Sequence, residues 1–289
     1  MKHSGGSLET AIATARHRNL MVSFGILLLL AASVSLIIAN ARRAERLGRQ
    51  QMEFVAGVSH ELRTPLSVIC SAGENLADGV IGDEAQVMRY GRLVRDEGRR
   101  LSRMVEQILE LAGIQSGRRY DLREVQLAPL LEEAAKDCHS QMDEHRIQMA
   151  SHFPADLPAV RADASALRQA IQNLLANAIK YSGDGSTVTL SAETVSAERG
   201  REVRIAVADQ GPGIPAADLP HIFEPFYRGR QALDSQIHGN GLGLSLVKGV
   251  MESHGGSVTV ESTPGGGSTF LLHLPAPEEN AGRSNGGRS

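Results

Sequence analysis

The stretch His60-Glu61-Leu62-Arg63-Thr64-Pro65 decides how this chain is read. It sets a neutral nucleophile beside a carboxylate in a run whose apolar residues, Val55, Val58, Leu62, Ile69 and Leu76, keep near-heptad spacing. An imidazole has an unprotonated ring nitrogen near physiological pH, and attack by that nitrogen on phosphorus yields a phosphoramidate that can pass its phosphoryl group onward. Glu61 is placed to accept a hydrogen bond from the other ring nitrogen and so fix the tautomer. Arg63 reads either as a solvent-facing side chain or as a neutraliser of phosphate charge. Pro65 lacks an N–H and its ring clashes with the carbonyl of Glu61, so a bend beside His60 is expected, with the apolar period resuming through Leu66 and Ile69. A histidine on a helix is by itself more often a surface or structural residue, and the case rests on its flanks.

On the C-terminal side, a turn-rich stretch around residues 78–83 precedes a second helix carrying Tyr90, Val94, Leu101, Met104, Ile108 and Leu111 at spacings built from three, four and seven. Two such helices make a hairpin whose apolar stripe needs a partner. The economical solution is a homodimer, a four-helix bundle of two hairpins. On the N-terminal side, residues 20–39 (LMVSFGILLLLAASVSLIIA) contain no charge and cover about 30 Å as a helix, the thickness of a bilayer core. This reads as one transmembrane helix. A secretory signal peptide would carry a shorter apolar region and a cleavage site, whereas the following NARRAERLGRQQ is basic and helical. Arg42, Arg43, Arg46 and Arg49 after the span are nearly balanced by Lys2, Arg16 and Arg18 before it, so charge leaves the orientation open.

Bulk properties narrow the function further. A formal net charge of −3 over 289 residues offers no electrostatic footprint for direct nucleic-acid binding. The two cysteines, Cys70 and Cys138, lie in helix-like stretches without metal-ligand spacing, so neither a zinc site nor a disulfide framework is expected. After residues 116–119 (SGRR) the composition changes to alternating strands and helices. Strands are expected at Val188 to Thr194, Glu202 to Ala208, Ser257 to Ser262 and Ser268 to Leu274. Helices are expected at Asp163 to Tyr181 and Leu242 to His254.

Several clusters in this second part suit a nucleotide. Asn173 and Asn177, four apart, share a helical face with Lys180 one turn on. Amide oxygens suit a hard Mg²⁺ that keeps waters and phosphate oxygens, and a lysine suits the phosphates themselves. Asp209-Gln210-Gly211-Pro212-Gly213 closes the apolar strand RIAVAD, where a carboxylate can accept from an adenine amino group and glycines let backbone approach the ring. Phe223 to Arg228 (FEPFYR) clusters aromatics in a chain that has few. It reads as local core, and it resembles the phenylalanine box at the edge of an ATP lid, a resemblance that implies Arg228 as a candidate phosphate contact. Gly239-Asn240-Gly241-Leu242-Gly243 leads into a helix whose N-terminus can hold phosphates. Its third glycine comes too early for a dinucleotide fingerprint, and no strand precedes it. Gly265 to Phe270 (GGGSTF), with Thr269, reads as a last glycine cluster or as a hairpin turn.

Taken together, residues 51 to about 275 resemble the sensor histidine kinases of two-component signalling. The HELRTPL run resembles their phospho-acceptor motif without a departure, and QAIQNLLANAIKYS resembles the asparagine box of the GHKL ATPase superfamily. The resemblance implies a membrane-anchored, multidomain chain: a short extracytoplasmic segment (1–19), a transmembrane helix (20–39), a linker and all-α phosphotransfer hairpin (40–118), an α+β two-layer ATP-binding sandwich of the Bergerat type (119–275) and a disordered tail (276–289). It implies ATP and Mg²⁺ as cofactors, with the metal at Asn173 and Asn177. Nucleotide contacts are implied at Lys180, Tyr181, Asp209, Gly211, Gly213, Arg228, Gly239, Gly241, Leu242, Gly243 and Thr269. His60 would carry the phosphoryl group, aided by Glu61, before its transfer to an aspartate of a response regulator receiver domain. Thr64, one turn beyond His60, would position the water of a phosphatase reaction. The ATP-using part must be cytosolic, which puts the first nineteen residues outside and leaves them too few for a sensor fold. Sensing in the membrane, by a partner, or by a lost segment is then expected. A GHKL clamp ATPase and a non-catalytic nucleotide-binding scaffold are the alternatives.

Overall fold

The computed structural model describes residues 6–78, 83–117, 119–197, 200–229 and 239–277. The turn expected at 78–83, residues 230–238 and the tail beyond Pro277 fall largely or wholly outside the described residues. The chain divides into two units between Gly57 and Val58.

In the first unit, helix α1 (Gly6–Ala77, which runs on into the second unit) contains a stretch, Asn19–Arg42, of mean hydropathy 2.6 with none of its surface buried. By length and composition this helix can cross a membrane, since 24 residues rise about 36 Å.

In the second unit, α1 continues through Pro65 to Ala77. The apolar period on both sides of the proline therefore outweighs the hydrogen bond it removes. Helix α2 (Glu84–Gln115) starts where Asp83 Oδ1 accepts the Ala85 N–H at 3.2 Å, and it ends at Ser116 with Gly117 in the left-handed region. Pro65 and Ala72 of α1, and Met104 and Leu111 of α2, are buried at a spacing of seven. Leu66, Val87, Met88, Leu93, Val105 and Leu109 remain exposed.

The rest of the unit is an α/β sandwich. Strands β1 (Arg123–Val125) and β3 (Val160–Ala162) form a small antiparallel pair, and helices α3 (Leu127–Asp137) and α4 (His139–His145) lie between β1 and β2 (Gln148–His152). None of these five is among the segments expected from the sequence: β1, β2, β3 and α4 are too short to establish a period, whereas α3, eleven residues long, carries the apolar stripe Leu127, Leu130, Leu131 and Ala134. Helix α5 (Ala164–Tyr181), strands β4 (Thr187–Ala197) and β5 (Gly200–Asp209), helix α6 (Gly243–Ser253) and strands β6 (Ser257–Ser262) and β7 (Ser268–Pro275) match the expected segments to within a few residues at each end. Among the described residues the main sheet has the order β2-β4-β5-β7-β6, with β2 parallel to β4 and the other pairs antiparallel.

Alternation decides which face of the sheet is covered. Val203, Ile205 and Val207 of β5 and Phe270, Leu272 and Leu274 of β7 are buried and join one core with Leu127, Leu131, Leu167, Ile171, Leu174 and Val250 of the helices. Helix α5 buries Leu167, Ile171, Leu174, Leu175 and Ile179 along one stripe, which turns Asn173, Asn177 and Lys180 onto the adjoining stripe.

Asp163 anchors the start of α5 from three directions. Its Oδ1 accepts the N–H groups of Ser165 (3.1 Å) and Ala166 (3.2 Å), its Oδ2 accepts that of Asp121 (3.3 Å), and its own N–H donates to His254 Nε2 (2.9 Å). Because Nε2 accepts, the buried His254 ring carries its proton on Nδ1, which donates to the Val250 carbonyl at 2.7 Å. Replacing Asp163 by Ala is expected to cost about 1–2 kcal/mol, the range for a lost helix cap. A melting-midpoint drop of several degrees should be largely restored in Asp163→Asn, and an unchanged midpoint would remove this anchor from the account.

Candidate functional site

Asp209 ends β5, and the register that pairs it with Ser268 brings two backbone donors to one carboxylate oxygen. Oδ1 accepts from Gly211 N–H at 2.8 Å and from Ser268 N–H at 3.2 Å, while Oδ2 accepts nothing among the described residues. Burial pushes the Asp209 pKa up, and the two backbone N–H groups hold it partly back. A cavity of about 280 Å³ opens beside it. Its walls are largely apolar, from Ile214, Ile222, Leu244 and Phe270, with Asn177, Tyr181 and Ser268 among the polar groups. The turn beneath it requires glycine at 213: φ is +72°, and an added Cβ would run into the Thr263 carbonyl.

A second cavity, of about 380 Å³, shares Asn177, Tyr181, Ile222, Tyr227, Arg228 and Leu244 with the first, so the two are ends of one cleft. At this end stand Asn173, Lys180, Gly239, Gly241 and Gly243, together with Arg100, Arg103, Met104 and Gln107 of α2. Among the described residues no carboxylate lines it. Lys180 is pushed down to about 8, first by burial and then by the charges of Arg228 and Arg100. Burial raises the neighbouring Tyr181, with Arg228 opposing.

The roots of residues 230–238 are pinned together. Phe226 has φ +63°, its N–H donates to the Gly241 carbonyl at 3.0 Å, and Tyr227 Oη donates to Asp218 Oδ1 at 2.8 Å. Gly241, at φ +68°, leaves no room for a side chain against the Phe226 backbone. Phe223 meets Phe270 edge-on at 6.5 Å, so part of this aromatic cluster belongs to the core, while Tyr227 and Arg228 line the cleft.

The donor set at the polar end suits Mg²⁺ carried in with phosphates. A Cβ placed on Gly243 would lie 3.8 Å from Asn173 Oδ1 and 3.9 Å from Asn177 Nδ2, so both amides converge on the start of α6. Among the described residues Asn173 Nδ2 is buried without a hydrogen-bond partner, a donor that calls for an acceptor such as a phosphate oxygen rather than for the metal. Among the described residues no group of three or more His, Cys, Asp or Glu is placed to cage a metal, so an ion here would depend on the asparagines and on ligand oxygens.

Most of the expected nucleotide-binding residues line this cleft, but three do not. Gly211 sits below, against the Tyr181 carbonyl. Leu242 is fully buried and its N–H donates to Asn240 Oδ1 at 3.2 Å. Thr269 lies between the two β7 residues, Ser268 and Phe270, that do face the cleft. Strand alternation carried the signal for Ser268 and Phe270; nothing local to α2 pointed to Arg100, Arg103 or Gln107.

His60, Glu61 and Thr64 line neither end of the cleft. The His60 side chain is 79% exposed, with Glu61 Oε1 at 3.7 Å from Nδ1, an electrostatic neighbour beyond hydrogen-bond reach. Thr64, one helical turn on, is also exposed.

Comparison with known proteins places both parts of this geometry. Residues 50–117 match the model of the His Kinase A (phospho-acceptor) domain, and residues 162–278 match that of the histidine kinase-, DNA gyrase B- and HSP90-like ATPases. The sensor-like histidine kinase SenX3 of Mycobacterium tuberculosis is 37% identical over 232 residues, 80% of this chain and 55% of that protein. The sensor histidine kinase WalK of Bacillus subtilis is 32% identical, covering 84% of this chain and 39% of that protein. The crystal structure of full-length ShkA in complex with AMPPNP superposes with a TM-score of 0.57 at 29% identity, covering 78% of this chain and 46% of that one. The chain thus spans about half the length, or less, of the curated relatives it matches. With an exposed helical histidine inside the phospho-acceptor match and a polar-ended cleft inside the ATPase match, the chain belongs to the sensor histidine kinases.

Proposed function

We propose that this chain transfers the γ-phosphoryl group of ATP to His60 and then to an aspartate of a response regulator. The observation that carries the proposal is the cleft, apolar beside Asp209 and cationic at Lys180 and Arg228, in a chain that also presents an exposed histidine beside a carboxylate. The free Oδ2 of Asp209 accepts from the adenine amino group while Ile214, Ile222 and Phe270 sandwich the ring. Lys180 and Arg228 neutralise phosphate charge, the main requirement of phosphoryl transfer. Asn173 and Asn177 would hold Mg²⁺, which would supply screening of phosphate charge. A His60 ring nitrogen attacks in line, forming the N–P bond as the P–O bond to ADP breaks. Glu61 holds the ring after a small rotation closes its 3.7 Å gap. Thr64 positions water for dephosphorylation of the regulator.

The exposed apolar residues of α2 and of α1 around Leu66 support a homodimer in which two hairpins cover each other. The apolar stretch Asn19–Arg42 supports a single membrane crossing with the ATP-using part in the cytosol. Domain limits near residues 40, 118 and 275 belong to the same proposal.

Incubated with Mg·ATP carrying a γ-label, the full chain is expected to acquire acid-labile, alkali-stable phosphate that is absent in His60→Gln. Labelling that survives the replacement would refute His60 as the acceptor. Asp209→Asn should weaken ATP binding roughly 10- to 100-fold, the cost of a charge-assisted hydrogen bond.

The depressed Lys180 also sets a pH dependence. In the free protein this lysine loses its proton near pH 8, and bound phosphates favour the protonated form. ATP affinity should therefore be flat below that value and fall as pH rises through it, by at most about tenfold per unit. Fluorescent-nucleotide titration from pH 7 to 9.5 should show this slope in the wild type and a weak, flat profile in Lys180→Met. An equal slope in the variant would assign the titration elsewhere.

A further inference from the structure

Helix α2 lies outside the sandwich in sequence, yet Arg100, Arg103 and Gln107 line the end of the cleft that Asp209 does not reach. Contacts unrelated to those arginines seat the helix there. Gln107 Oε1 accepts from Asn240 Nδ2 at 2.7 Å, and Glu110 Oε2 accepts from Gln169 Nε2 at 2.6 Å. Ile114 fills the space over Gly249, where an added Cβ would approach it to 3.0 Å. The position of the arginines is thus a product of docking rather than of their own pairing.

Their charge is poorly compensated. Arg100 has Glu97 at 3.6 Å, whereas Arg103 makes no ion pair among the described residues. With Lys180 and Arg228 they place four cationic side chains around a space that no described carboxylate lines. Such a gathering is costly unless an anion shares it, and the lowering of Lys180 partly by Arg100 is one expression of that cost.

We propose that Arg100 and Arg103 extend the nucleotide site across the domain boundary, so that the terminal phosphates of ATP are held jointly by α2 and by Lys180 and Arg228. This rests on reading the cleft as the nucleotide site. The arginines stand at the far end from the adenine carboxylate, so they favour a triphosphate over a diphosphate, and ATP in turn strengthens the seating of α2.

The test is competition of ATP and of ADP, each with Mg²⁺, against a fluorescent nucleotide bound to the full chain in detergent. Arg100→Ala combined with Arg103→Ala is expected to weaken ATP about tenfold or more, while ADP stays within about twofold. Lysine at both positions should recover much of the difference. Gly249→Leu, which pushes Ile114 away from α6, should weaken ATP on its own and leave the arginine replacements with little further effect. Unchanged ATP affinity in the double variant, or equal losses for ATP and ADP, overturns the inference while leaving the nucleotide reading intact. A wild-type chain that binds neither nucleotide overturns both.

Discussion

Helix α5 carries two incompatible demands on adjacent stripes, and the cleft exists because the sheet satisfies one of them. Leu167, Ile171, Leu174, Leu175 and Ile179 are buried where α5 packs on β4 and β5 and against α3 and α6. Burying these side chains at roughly 1.5–3 kcal/mol each outweighs any rotation of the helix that would bring Asn173, Asn177 and Lys180 inside. The three polar residues therefore stay at the margin of the core, half-buried and aimed at a space bounded by the glycine turn before α6. Asp163 sets the angle at which the helix leaves the small β1–β3 pair, and His254 ties that start to the end of α6. The two helices that border the cleft thus share one anchor.

Polarity along the cleft follows from the same packing. At one end, strand alternation presents Ser268 and Phe270 beside Asp209, giving apolar walls around a single carboxylate. At the other end, backbone turns and amides replace apolar side chains, and cations gather without carboxylates. A ligand with a flat, weakly polar ring at one end and dense negative charge at the other matches this gradient. The docking of α2 completes the cationic end, because Arg100 and Arg103 line it together with Lys180 and Arg228.

The acceptor helix obeys a different logic. Pro65 is buried while His60, Glu61 and Thr64 face outward or lie half-buried, so the core-facing period of α1 holds the chemistry in solvent. Exposure leaves the His60 ring accessible to other molecules. The apolar residues left uncovered on α1 and α2 have no counterpart among the described residues of one copy of the chain.

Much of this was legible in the residue order. The 3.6-residue period of α5, the alternation of β5 and β7 and the glycines that close the turns are local signals, governed by backbone sterics and by side-chain direction, and the residues they single out, Asn173, Asn177, Lys180 and Asp209, line one cleft. The strands β1, β2 and β3 and the seven-residue α4 were not legible, because so few residues carry too little periodicity and their stability comes from the core they join, whereas the stripe of α3, Leu127, Leu130, Leu131 and Ala134, is present in the sequence. Thr269 and Leu242 were placed in the site by their neighbours in sequence, whereas the pleat of β7 and the burial of Leu242 turn them away from it. Sequence alone determined the chemistry available, since side-chain type and local period are properties of neighbouring residues. Only the tertiary structure decided that Arg100 and Arg103, more than seventy residues from Lys180, share its cavity, because that proximity depends on how whole helices pack.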